Sequence, residues 1–203
     1  MREHVTDHFV QRAKRQGMRS RAAYKLAELC DRDHLIVPGM TVVDLGSAPG
    51  GWAQVAAQRV GAKGRVIAVD VLEMVPVHGV TFIHGDFGEP ETLAAVDREL
   101  SGSPVDLVVS DMSPNISGIG VSDQARAAHL AELALEFAVQ YLKPGGNLLV
   151  KAFQGSGYAE LRATLRGRFR ELLTRKPEAS RGRSSEIYLL GKGLVKPPSA
   201  VGE

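Results

Sequence analysis

The sequence predicts an α/β protein with a mostly parallel, seven-stranded sheet covered by helices on both faces. Three observations carry this prediction. The stretch Val42-Val43-Asp44-Leu45-Gly46-Ser47-Ala48-Pro49-Gly50-Gly51-Trp52 runs from two β-branched residues through an acid and a glycine-rich turn into a helical pattern, the first unit of an open nucleotide-binding sheet. Strand-like and helical runs then alternate along the chain, an order that yields parallel strands joined by crossover helices. The strands that follow end at or beside Asp70, Asp86, Asp111 and Lys151, so charge collects at one edge of the sheet.

Taken in order, residues 18–34 read as a helix, with Ala22, Leu26, Leu29 and Cys30 near helical spacing and Ser20 as its cap. Pro38-Gly39 is a turn. Strand one is Thr41–Leu45, and its helix is Gly51–Val60. Strand two is Arg65–Val69, ending at Asp70, and strand three is Val80–His84, leading into Gly85-Asp86-Phe87. A helix over Glu91–Leu100 precedes strand four, Val105–Ser110, which ends at Asp111. A long amphipathic helix over 123–142 presents Leu130, Leu133, Ala134, Phe137 and Tyr141 on one face and is stopped by Pro144-Gly145-Gly146. Strand five is Asn147–Val150, ending at Lys151. A helix over Tyr158–Arg168 and two strands near Arg170–Thr174 and Glu186–Leu190 close the sheet. Residues 1–192 form a single domain on this reading, with 1–25 a basic arm and helix start. The Pro-, Gly- and Ser-rich residues 193–203 read as a disordered tail.

Composition excludes several classes. With 44% hydrophobic and 24% charged residues the chain has the make-up of a water-soluble globular protein. Nothing approaches the ~18-residue apolar run of a membrane span, and the first residues have no apolar signal region. The single Cys30 cannot pair internally and reads as a small buried hydrophobe, so a cytoplasmic protein is expected. None of the six histidines forms a ligand spacing with Cys30, so no metal site is expected. The net charge of +2 is unevenly spread. Residues 1–25 carry +5 and residues 162–192 carry +6, which leaves about −9 for the remainder. Basic ends around an acidic middle suit a polyanion held about a centre with a different task.

The glycine turn reads Asp44-x-Gly46-x-x-x-Gly50, not the Gly-x-Gly-x-x-Gly that seats a pyrophosphate. An acid on the strand suits a cationic or zwitterionic ligand better. If strand one is central, Asp70 and Asp86 line the half of the crevice suited to a nucleoside, and Asp111 and Lys151 line the half for a reacting partner. Asp70 stands where a carboxylate can accept both ribose hydroxyls. Asp86 could accept from an adenine amino group, and taken alone it is equally a turn-stabilising residue. Asp111 opens Asp111-Met112-Ser113-Pro114-Asn115, a loop shaped around a substrate or an Asx-turn. Lys151 interrupts the apolar run Leu148-Leu149-Val150-Lys151-Ala152-Phe153, where a lysine is seldom buried without a partner.

Five motifs in order resemble those of the RrmJ/FtsJ family of S-adenosylmethionine-dependent ribosomal RNA 2′-O-methyltransferases. They are Gly17-Met18-Arg19-Ser20-Arg21-Ala22-Ala23-Tyr24-Lys25-Leu26, Asp44 to Trp52, Ser110 to Asn115, Val150-Lys151-Ala152-Phe153-Gln154-Gly155 and Arg181-Gly182-Arg183-Ser184-Ser185-Glu186-Ile187-Tyr188. The resemblance spans roughly residues 5–192. It implies the Rossmann-like methyltransferase fold and a Lys-Asp-Lys-Glu tetrad at Lys25, Asp111, Lys151 and Glu186. It also implies contacts to S-adenosylmethionine at Gly50, Trp52, Asp70, Asp86 and Asp111. The family's usual substrate is a uridine of large-subunit ribosomal RNA in the nearly assembled subunit. Ala23, where many members carry an aromatic, and a short basic arm before residue 12 depart from the pattern.

On this resemblance Lys151 acts as base or as stabiliser of a developing alkoxide, oriented by Asp111, while Lys25 and Glu186 position the ribose. The basic runs adjoin tetrad members in sequence, so Arg19, Arg21, Arg175, Lys176, Arg181 and Arg183 are expected to hold RNA phosphates. No feature demands a dimer, and a monomer is expected. Three other readings are a methyltransferase of transfer RNA or another RNA, a non-catalytic ribosome-assembly factor, and a nicotinamide dehydrogenase. The intact tetrad disfavours the second of these and the missing Gly-x-Gly-x-x-Gly the third.

Overall fold

A computed structural model describes residues 8–114, 120–180 and 184–195, with the backbone alone for 120–122. Its strands are β1 (Thr41–Leu45), β2 (Arg65–Asp70), β3 (Val80–His84), β4 (Val105–Ser110), β5 (Leu142–Phe153), β6 (Phe169–Arg175) and β7 (Glu186–Leu194). They form one sheet in the order β3-β2-β1-β4-β5-β7-β6. The first five are mutually parallel, and β7 runs antiparallel between β5 and β6. Strand order reverses between β1 and β4, which opens a crevice beyond their carboxyl ends.

The helices are α1 (His8–Arg15), α2 (Ala22–Asp33), α3 (Gly51–Val60), α4 (Pro90–Leu100), α5 (Gly120–Tyr141) and α6 (Tyr158–Arg168). Continuous apolar runs become central strands because both faces are covered. Alternate side chains separate cleanly. Val43, Leu45, Val108, Leu148 and Val150 join a core with α4, α5 and α6. Val42, Leu107, Val109, Leu149 and Tyr188 join a second core with α2 and α3. Cys30 belongs to that second core, and burial pushes its thiol up to about 12. Among the described residues no helix is long and apolar enough to cross a membrane.

Several boundaries differ from the sequence reading. The helix expected from residue 18 begins at Ala22, and Ser20 does not cap it through its side chain; its carbonyl accepts from Ala23 N at 3.2 Å. Helix α1 lies within the stretch 1–25 that the sequence presents as a basic arm and helix start. Its apolar residues Phe9, Val10 and Ala13 share one side, but the helix is only eight residues long and buries Ala13 alone. Phe9 and Arg12 anchor it on the Tyr24 ring, 5.9 and 4.7 Å away. Pro144-Gly145-Gly146 does not separate α5 from β5, because Leu142 already pairs with Val105 and a register shift absorbs the turn. Strand β7 reaches Leu194, so Gly193 and Leu194 are ordered sheet residues, not tail; residues 196–203 lie outside the described residues.

The last residue of α2 is tied to the end of β6. Arg175 Nε and Nη2 donate to the two oxygens of Asp33 at 2.8 and 2.7 Å. Hydrogen bonding from Arg175 holds the Asp33 carboxyl below its ordinary 3.8, against the effect of burial. A depressed carboxylate stabilises the fold above its unfolded value and loses that contribution as pH falls through its folded value. Asp33→Ala is therefore expected to cost about 1–3 kcal/mol at pH 7. In urea titrations its deficit should shrink below pH 3.8; a deficit that stays constant there contradicts the pairing.

Candidate active site

The fold brings the tetrad together through strand register. Lys151 on β5 lies opposite Tyr188 on β7, and Phe153 lies opposite Glu186. Residues 151, 186 and 188 therefore share one face. Asp111 follows Ser110, which pairs with Val150, so it emerges beside Lys151. Lys25 reaches the group from α2, which packs on that same face.

The contacts form a closed set. Lys25 Nζ lies 2.6 Å from Glu186 Oε1 and donates to the Tyr188 hydroxyl at 3.1 Å. The Tyr188 hydroxyl donates to Asp111 Oδ1 at 2.6 Å. Lys151 Nζ stands 2.7 Å from the same Oδ1 and 3.8 Å from Glu186 Oε2. It also donates to the Asp111 carbonyl at 2.8 Å and to Ser113 Oγ at 2.9 Å. Ser180 Oγ donates to Glu186 Oε1 at 2.9 Å. Both lysines are buried, at 4% and 8% exposure, which their paired carboxylates make tolerable.

Burial works to raise the Glu186 carboxyl. The charge and hydrogen bond of Lys25, with Lys151 and Ser180, outweigh it and hold the group below the usual carboxylate range. Burial pushes the Tyr188 phenol well above its ordinary value, and Asp111 and Glu186 push it further. Tyr188 thus stays a proton donor that links the two halves of the tetrad. The sequence reading assigned it no role. The signal was present in Glu186-Ile187-Tyr188, since alternate strand residues share a face.

A cavity of about 470 Å³ opens over this set, walled by the turn Gly46–Pro49, Trp52 and the first turns of α2. Helix α1 supplies Val10, Ala13 and Lys14 to its rim. Gly46 has φ 73, and a Cβ there would stand 2.3 Å from Met112 Cγ, so the turn admits no side chain. Beneath the turn Asp44 is fully buried, with no more than a weak interaction from the Ala53 backbone N–H to its carboxyl. Burial, with Asp111 and Asp70 nearby, raises its carboxyl well above the ordinary value. A cation at this edge would relieve that clustering of acids.

The other expected cofactor residues spread along the edge. Asp70 Oδ2 accepts from Ala48 N and Oδ1 from Leu72 N, both at 2.8 Å, so it also braces the glycine turn. Asp86, exposed beyond β3, accepts from Gly88 N at 2.8 Å and forms the turn. Trp52 is 2% exposed and donates Nε1 to Ala22 O at 2.8 Å; it meets the cavity from within the core. Gly50, at φ 101, is the residue before α3 and caps its N-terminus. Neither Asp70 nor Asp86 lines the cavity over the tetrad.

The basic residues divide. Arg19 and Arg21 line the cavity. Arg175 is engaged by Asp33, and Lys176 Nζ donates to Ser184 O at 2.9 Å. Arg181 and Arg183 lie outside the described residues.

Comparison with known proteins identifies the family of the chain. The model of the FtsJ-like methyltransferase family matches residues 18–194. A ribosomal RNA large subunit methyltransferase E from Nitrosospira multiformis is 63% identical over 193 residues, 95% of this chain and 94% of that protein. One of the same description from Methylobacillus flagellatus is 62% identical over 191 residues, 94% of this chain and 92% of that one. A crystal structure described as a ribosomal RNA methyltransferase from Plasmodium falciparum superposes with a TM-score of 0.79 at 32% identity. It covers 88% of this chain and all of that one.

Proposed function

The chain belongs to the FtsJ-like methyltransferase family, and from that premise we propose that it methylates the ribose 2′-hydroxyl of a uridine in large-subunit ribosomal RNA. The observation that supports this most strongly is the convergence of Lys25, Asp111, Lys151 and Glu186 around one phenol, beside a glycine turn with no room for a side chain. S-adenosylmethionine suits the acidic strand edge formed by Asp44, Asp70 and Asp111, because it is a cation. When bound, it supplies a methyl carbon on a sulfonium, a good leaving group.

The protein's task is then alignment and proton handling. Lys151 serves the 2′-oxygen, as the group that takes its proton or as the charge that holds the developing oxyanion. Asp111, at 2.7 Å, orients Lys151 and balances its charge. Lys25 and Glu186 hold the ribose, and Tyr188 keeps the two ion pairs in register. A cytoplasmic, monomeric enzyme acting on the assembled subunit fits this reading.

The test is methyl incorporation into large ribosomal subunits from cells lacking the gene, followed by mapping of the modified nucleotide. A single 2′-O-methyluridine in large-subunit RNA is the expected result. Modification only of transfer RNA, or no incorporation, overturns the proposal. RNA binding should also weaken steeply between 50 and 200 mM salt, on the order of 10³-fold if about six phosphates are held; a flat response counts against it.

A further inference from the structure

Arg19 lies in the segment whose charge suggests phosphate contacts, yet its half-buried side chain lies across the glycine turn and is engaged by backbone carbonyls. Nη1 donates to Pro49 O at 3.3 Å and to Val75 O, and Nη2 donates to Pro76 O. Its backbone N–H donates to Gln54 Oε1 at 3.1 Å, and Gln54 Nε2 returns to Gly17 O at 3.0 Å. A Cβ on Gly50 would stand 3.0 Å from Arg19 Cδ, 2.8 Å from Met74 Sδ and 3.1 Å from Val77 Cγ2. One side chain thus joins the segment before α2, the turn that starts α3, and residues 71–77 after β2.

That last segment has neither helix nor strand of its own and exposes Val71, Leu72 and Val75. It follows Asp70, on the nucleoside half of the crevice. Arg19 also forms the partition between the cavity over the tetrad and a neighbouring one of about 530 Å³ lined by Gln54, Gln58, Val77 and His78.

We propose that Arg19 is a positioning residue that pins the 71–77 segment against the glycine turn and so shapes the nucleoside side of the cofactor cleft. This rests on the reading that the cleft takes S-adenosylmethionine. The guanidinium's fixed fork of donors reaches carbonyls on two separate segments at once; a lysine ammonium on a flexible stem does not reproduce that geometry.

The experiment compares the full-length wild type with R19A and R19K. It measures binding of S-adenosylhomocysteine without RNA, the salt slope of RNA binding, and amide exchange. Both variants are expected to bind S-adenosylhomocysteine at least about tenfold more weakly, the loss of a bridging charged contact. Exchange should quicken over residues 46–51 and 71–79, with the salt slope unchanged. R19K keeps the charge and the stem, so it carries the test if R19A melts. Binding within twofold of wild type, together with a salt slope shallower by about one, makes Arg19 a phosphate contact and overturns the proposal. A wild type that does not bind S-adenosylhomocysteine removes the cofactor reading along with it; normal binding by wild type and variants alike removes this inference alone.

Discussion

Replacing Lys151 with alanine is expected to slow methyl transfer by roughly 10²–10⁴-fold while S-adenosylhomocysteine and RNA still bind. Nζ is surrounded by Asp111 Oδ1 at 2.7 Å, the Asp111 carbonyl at 2.8 Å and Ser113 Oγ at 2.9 Å. Three acceptors match the three donors of an ammonium, so the nitrogen is held where the acidic loop directs it. Lys151→Arg separates the two roles open to it. Arginine keeps the charge and cannot surrender a proton. Substantial activity in K151R would identify a charge that stabilises the oxyanion; a loss equal to that of K151A would identify a base. Single-turnover rates near the wild-type value in K151A, with both ligands bound, would remove Lys151 from the chemistry.

Lys25→Ala should be the most destabilising change in the site. Lys25 is buried and sits 2.6 Å from Glu186, whose carboxyl it holds below the usual range. Removing Lys25 takes away the closer cation and leaves the buried Glu186 carboxylate with Lys151 at 3.8 Å; breaking a buried pair in this way costs about 3–5 kcal/mol. For a chain of this length each kcal/mol lowers Tm by about 2–4 °C, so a fall of roughly 6–20 °C is expected at pH 7. Because the Glu186 carboxyl is depressed in the fold, its contribution is present above the reference value of 4.5 and is lost as pH falls through the folded value below it. The gap between wild type and K25A should therefore narrow in acid. Adding Glu186→Gln to K25A should restore part of the lost stability by removing the stranded charge. A K25A protein that melts within 2 °C of wild type at pH 7 would show that the pair is not coupled as described.

Much of the framework was legible before any coordinates. The bounds of β1, β3, β4, α3 and α6 match the sequence reading because short runs rich in β-branched and aliphatic residues mark the strands, and Gly and other turn residues punctuate strands and helices alike. Helix α1 was not legible, since eight residues with three cations in the last turn give too short an apolar face, Phe9, Val10 and Ala13, to stand out from a basic arm. The partners of the charged residues were not legible either. Arg19 and Arg175 look in sequence like free cations beside Lys25 and Glu186. One is instead bound to carbonyls some 30 and 56–57 positions away, the other to a carboxylate 142 positions away.

Local patterning was enough to specify the strands, the glycine turn and the acids and lysine at the sheet's edge, because hydrophobic period and turn chemistry act between near neighbours. Which charges meet was a matter of folding in three dimensions. The pairing of Lys151 with Tyr188 across β5 and β7, and the inward path of α2 that carries Lys25 to Glu186, depend on strand register and helix packing. Electrostatic partnership falls off with distance through space, not along the chain, so only the assembled sheet could make four remote residues one site.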